Sequence, residues 1–105
     1  MKVIYNDIIP FKGFAAINLF GILFVRNGVV VSERLLNHER IHTAQMREMV
    51  YVFFYIWYVI EWSVKLFKYG KMSYYHISFE REAYENEFDF KYLSGRRCFA
   101  WAKFI

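Results

Sequence analysis

Cysteine is almost missing from this chain of 105 residues: Cys98 stands alone, so no internal disulfide can form and stability must come from packing. A single thiol fits a reducing compartment, and its ordinary role is that of a small apolar side chain. Proline is as scarce, with Pro10 the only one, and neither Gly nor Pro falls within residues 33 to 69, so nothing there interrupts a helical pattern. The N-terminus lacks the apolar core of a secretory signal. Met1-Lys2-Val3-Ile4-Tyr5-Asn6-Asp7 puts an amide and a carboxylate where that core would lie, and no cleavable signal peptide is expected. Dense basic runs are lacking too. The net charge of +4 and pI near 9.2 are spread along the chain, which argues against nucleic acid as a partner. Apolar residues are in excess: 57% of the chain is hydrophobic, against about 45–50% in ordinary domains, and 23% is aromatic, chiefly Phe and Tyr. The length allows one domain, residues 1–105, with more apolar surface than a small globule easily hides.

Residues 1 to 31 read as short strands. Val3 to Tyr5 is β-prone, Pro10 and Gly13 punctuate the next stretch, and Asn27-Gly28 is a type I′ hairpin signal between Leu19–Val25 and Val29–Val31. Ser32 is the expected N-cap of a helix, with Glu33 complementing the dipole in its first turn. Leu35, His38, Ile41 and His42 then recur at helical spacing. That pattern continues, with a bend or break that the sequence does not locate, to Gly70 as its stop. A further helix is expected from Ser78, as N-cap, through Phe88 and Tyr92 to Ser94-Gly95, and a short third one within Arg96–Ile105.

The chemistry lies in His38-Glu39-Arg40-Ile41-His42, an H-E-x-x-H pattern within the first helix. His38 and His42 project from one face a turn apart and can share a tetrahedral Zn²⁺. Glu39 sits about 100° round the helix, placed to act as general base on a water rather than as a ligand. A catalytic zinc needs a third protein ligand. The chain offers His76 and the carboxylates of Glu80, Glu82, Glu85, Glu87 and Asp89. The metzincin pattern would need Gly and His where Gln45 and Glu48 stand, so the three-histidine class is excluded.

These residues resemble the gluzincin group of zinc metallopeptidases, whose third ligand is a Glu on a later helix, carried in some membrane-linked branches as E-x-x-A-D. Glu80-Arg81-Glu82-Ala83-Tyr84 matches E-x-x-A, and the resemblance implies Glu80 as third ligand. Tyr84 replaces the Asp of those branches, which usually orients a ligand. The helix geometry favours the same choice. Glu80, Ala83, Tyr84 and Glu87 share a face, and the small Ala83 lets the two helices approach, whereas Glu82 points elsewhere. Among Tyr84, Tyr75 and His76, Tyr84 is the candidate oxyanion donor. Asn37, Gln45 and Glu87 are candidates to orient the ligands.

Met49 to Ile60 carries no charge, but at about 18 Å as a helix it falls short of a hydrocarbon core of about 30 Å. Beyond it, Glu61 and Lys65 form an i,i+4 pair, and Trp57, Tyr58 and Trp62 suit a membrane interface. Membrane contact or a homodimer would resolve the apolar excess. The expectation is a minimal α+β, zincin-like domain, cytoplasmic or membrane-associated, that hydrolyses a peptide bond in a peptide or protein substrate. The rival expectation is a non-enzymatic membrane-associated or partner-binding protein whose metal site is absent or structural, with His76 completing four ligands.

Overall fold

A computed structural model describes residues 1–8 and 15–105; Pro10 and Gly13 lie outside the described residues. The domain is α+β. Its sheet contains β1 (Lys2–Asn6), β2 (Ala16–Leu19) and β3 (Ile22–Arg26) in the order β1-β3-β2, with β1 parallel and β2 antiparallel to β3. Leu23 and Val25 alternate into the core from the central strand, as a period of two requires.

The hairpin turn is one step earlier than Asn27-Gly28. Phe20 and Gly21 have φ of 53° and 88°, the pair of left-handed residues that a two-residue type I′ turn demands. A phenylalanine is strained there, and its surroundings hold it. Its N–H donates to the Tyr55 hydroxyl at 3.1 Å, and its ring packs 5.2 Å from that of Tyr55. Gly28, at φ 88°, ends β3 instead, and Val29–Val31 form no strand.

Ser32 caps α1 (Glu33–Glu48) as expected, its Oγ accepting from Leu35 N at 3.1 Å. The helical chain then breaks at Met49–Tyr51 and turns by 109° into α2 (Val52–Tyr69). Val50 and Tyr51 make the corner with φ of 51° and 57°. Neither residue signals a break by type; Tyr51 N closes the end of α1 locally, donating to Met46 O at 2.7 Å, and the tertiary contact at the corner is its ring against Phe20. Gly70 ends α2 at φ 57°. A short helical segment comes next, including α3 (Ser73–His76), and then α4 (Ser78–Asn86).

The start of α4 differs from the expected cap. Ile77 holds the cap position, while the Ser78 N–H donates to Glu61 Oε2 at 2.8 Å and its hydroxyl donates to Glu61 Oε1. A buried carboxylate on α2 thus supplies the negative charge that the α4 N-terminus favours, and ties the helix bearing Glu80 to α2. Glu61 also pairs with Lys65 at 3.5 Å. Helix α4 stops at Asn86, before Phe88 and Tyr92; Tyr92–Gly95 is a separate turn, α5, and the third helix contracts to a 3-10 segment at Ala100–Phe104. Met46, Phe54, Ile77, Phe79 and Trp101 form the core between these helices, each fully buried aliphatic or aromatic side chain contributing about 1.5–3 kcal/mol.

Candidate metal centre

Helix α1 turns a polar face inward. His38 and His42, one turn apart, are both buried, and Glu80 enters from the first turn of α4. His38 Nε2 lies 3.1 Å from His42 Nε2 and 3.3 Å from Glu80 Oε1, and His42 Nε2 lies 3.0 Å from the same oxygen. Ligand atoms bonded at about 2.0–2.1 Å to a small tetrahedral cation stand about 3.3 Å apart, so this triangle has the size of one face of such a site. The group can hold a metal ion.

The surrounding hydrogen bonds aim the lone pairs. His38 Nδ1 meets Glu87 Oε2 at 2.8 Å, which makes Nδ1 the protonated nitrogen and leaves Nε2 bare toward Glu80. His42 Nδ1 meets Gln45 Oε1 at 2.8 Å. The Gln45 amide cannot flip without loss, since its Nε2 donates to Phe79 O at 3.0 Å and to Glu82 Oε1 at 2.9 Å. Asn37 secures the segment that carries Glu87, donating to the Glu87 carbonyl at 2.8 Å. Of the three residues expected to orient the ligands, Glu87 and Gln45 bond the histidines directly, and Asn37 acts only through the backbone of the Glu87 segment. Tyr84 brings no carboxylate to His38, which takes Glu87, about one turn further along the chain, as its carboxylate partner. The other oxygen of Glu80 accepts from the Tyr58 hydroxyl at 2.9 Å, so one oxygen faces the histidines and one is held from behind.

Three lone-pair atoms converging on one point call for a cation, and the titration behaviour reflects this. Burial alone would lower the His42 pKa, but the Glu80 carboxylate outweighs it and pushes the imidazole up to about 9. Burial would raise Glu80, yet His42 and His38 hold it well below the usual carboxylate range. Glu39 is raised, chiefly by burial. It shares with His42 and Glu80 the lining of a cavity of about 390 Å³, whose other walls include Ile17 and Asn18 of β2, Phe54 and Tyr58 of α2, and Tyr74.

Tyr84 presents a ring edge to His38, centroids 4.7 Å apart, and stands beside Tyr74. His76 stacks on Tyr69 at 3.6 Å, away from the cluster. Glu82 points away, as the helix spacing implies, into a buried ion pair with Arg96, which also binds Glu48. Tyr58 and Tyr74 are site residues that the sequence reading does not identify. Tyr58 lies in an all-apolar run that reads as interfacial, yet the fold turns it and Trp57 inward, Trp57 Nε1 donating to Glu61 at 3.0 Å. Only the 109° corner before α2 brings Tyr58 to Glu80. Comparison with known proteins finds no family model, no curated protein and no solved structure that matches this chain.

Proposed function

We propose that the chain is a zinc-dependent metallopeptidase of minimal zincin-like form, with His38, His42 and Glu80 as ligands and Glu39 as general base. The observation that carries the reading is the triangle of Nε2, Nε2 and Oε1 with edges of 3.0–3.3 Å, beside a cavity lined by a carboxylate that is not part of the triangle. Three ligands from two imidazoles and one carboxylate suit zinc and leave a coordination position for the reaction. A structural site closes with four, and His76, the residue able to close this one, is stacked on Tyr69.

When bound, Zn²⁺ supplies Lewis-acid polarisation of the scissile carbonyl and lowers the pKa of the attacking water. The remaining work falls to the chain. Glu39, its proton affinity raised by burial, takes the proton of the attacking water and passes it to the leaving amine. Glu87 and Gln45 keep the two imidazoles in the tautomer that leaves Nε2 free. Tyr84, against His38, is the hydroxyl that would donate to a developing oxyanion, with Tyr74, at the cavity wall, hydrogen-bonded to it. Burial raises both pKa values, so both remain neutral donors at neutral pH.

The substrate is an extended peptide. Strand β2 is one of the two edges of the sheet and a wall of the cavity. Arg26 N donates to Ala15 O, and by the alternation of an antiparallel ladder Ile17 and Leu19 bond to β3 while the backbone groups of Ala16 and Asn18 point outward. A peptide laid beside Ala16 extends the sheet and passes the metal centre.

Metal analysis and an assay on an unstructured peptide test the proposal together. Wild type and Glu39→Gln should each bind about one zinc per chain, and His38→Ala and Glu80→Ala almost none. Glu39→Gln should lose two to four orders of magnitude of hydrolysis, about the range for a general base. A chain free of metal after purification without chelator, or a Glu39→Gln variant as active as wild type, would overturn it.

A further inference from the structure

The outward side of α2 is unused by the metal centre. At about 100° per residue, Phe53, Ile56, Ile60, Val64 and Phe67 form a stripe along the helix, each between 49% and 96% exposed. With Val52, Val59 and Leu66 beside them, exposed apolar surface reaches on the order of 1,000 Å², above the roughly 300–600 Å² of the largest patch on an ordinary monomer. Ser63 is the one polar residue on this side, and its hydroxyl donates to the Val59 carbonyl of its own helix at 2.8 Å. That is how a hydroxyl is satisfied in surroundings that offer no partner. An interface between copies would exchange about one hydrogen bond per 100–200 Å², and this face holds no side chain with one to give.

Charge marks the end of the stripe. Lys68 and Lys71 lie just beyond it, with the Lys68 ammonium 5.3 Å from the centre of the Tyr69 ring, and no Asp or Glu occurs from residue 62 to residue 79. Glu61 is buried and committed to Ser78, Trp57 and Lys65. The local field is positive on a chain of net charge +4.

We propose that α2 is a membrane-surface helix. It lies in the headgroup plane of an anionic lipid bilayer, with the stripe in the acyl boundary and Lys68 and Lys71 against acidic headgroups. Among the described residues no single helix is long and apolar enough to cross a membrane, and Glu61 and Lys65 point into the domain, so the helix lies on the bilayer rather than across it. Phe54, Tyr55 and Tyr58, on the opposite side of α2, wall the cavity at the metal centre. Attachment therefore places that cavity about one helix diameter, roughly 10 Å, from the lipid. The attachment itself does not depend on the peptidase reading.

Flotation of the full chain with extruded vesicles, either phosphatidylcholine alone or mixed with phosphatidylglycerol, tests this. Wild type should float with the mixed vesicles and markedly less with phosphatidylcholine alone. Ile60→Glu with Val64→Glu should weaken partitioning about a hundredfold while the urea unfolding midpoint stays that of wild type, which shows the fold is intact. Lys68→Glu with Lys71→Glu should abolish the preference for the acidic lipid. Wild type that floats with neither vesicle overturns the proposal, as does flotation indifferent to Ile60→Glu and Val64→Glu. A dimer in sedimentation that these two substitutions dissociate, with no flotation, would assign the face to a second copy instead. Zinc binding and hydrolysis are read separately, so loss of one proposal leaves the other standing.

Discussion

Helices α1 and α2 are joined by three residues and are buried in opposite senses. Along α1 the side chains turned inward are Asn37, His38, His42 and Gln45, with Ile41 and Met46, whereas the far more apolar α2 buries only Phe54 and Glu61. Hydropathy would reverse the two. An unpartnered buried polar group costs about 1–3 kcal/mol, and the inward groups of α1 escape that cost because each has a partner: Asn37 three carbonyls, His38 the Glu87 carboxylate, His42 Gln45 and the Glu80 oxygen, Gln45 the Phe79 carbonyl and Glu82. Burial here follows the hydrogen-bond partners available, not hydropathy. Apolar exposure on α2 is the complementary statement, a surface that the fold leaves uncovered.

The strongest challenge to a polar interior is to remove one of its charges. Glu82 is fully buried and pairs with Arg96, while also accepting from Gln45 and from Tyr92 at 2.6 Å. Burial by itself would raise its pKa, but Arg96, Gln45 and Tyr92 hold it down. Glu82→Ala leaves Arg96 with Glu48 alone, and should cost about 3 kcal/mol, the lower end for breaking a buried pair, as a fall in the urea midpoint. Zinc should still bind at about one per chain, because Gln45 keeps its bond to Phe79 O and so its aim at His42. Loss of zinc in this variant would mean that the Glu82 bond to Gln45, and not Phe79 O alone, is needed to aim His42.

Much of this is legible in the sequence, for local reasons. Ser32, Glu33 and Gly70 act within one turn of where they stand, so the start of α1 and the end of α2 can be read directly. His38, His42 and Glu80 are legible because two helix faces each carry their own spacing, and Ala83 at a close approach is buried completely. The features that cannot be read depend on distant partners. The strained Phe20 turn is held by Tyr55, the corner at Val50 and Tyr51 by the Phe20 ring, and the cap of α4 by Glu61. Residue type gives no warning of any of these. Tyr58 and Tyr74 escape a sequence reading for the same reason: their place in the site depends on the corner, and in an aromatic-rich chain two more tyrosines carry no signal.

Proton competition probes the inward-facing side of this contrast. His42 must be neutral to bind a metal, and in the metal-free protein it is held up to about 9 from an ordinary 6.5. A raised pKa contributes stability that is full below 6.5 and is lost as pH rises through about 9, so the metal-free chain should weaken over that interval. Metal affinity has the opposite sign. Each unit of pH below about 9 sets one proton against the ion and costs about tenfold, so zinc should bind about a hundredfold more tightly at pH 8 than at pH 6. Competition titrations with a chelator across that range measure the slope, and a flat profile would mean that Glu80 does not hold a proton on His42.

The smallest effect belongs to α2, and its smallness is the point. Val59 is 55% exposed on the apolar side, and what its neighbour Ser63 uses is its backbone carbonyl, not its side chain. Val59→Gln removes a branched side chain that packs against little and substitutes one with slightly better helix propensity. Urea unfolding in buffer without lipid or detergent should therefore change by less than about 0.5 kcal/mol, in contrast with about 3 kcal/mol for Glu82→Ala. If Val59→Gln instead cost about 2 kcal/mol or more, the range of a core truncation, the apolar side of α2 would be packed in the folded state, and the opposition between a polar helix turned in and an apolar helix turned out would fail.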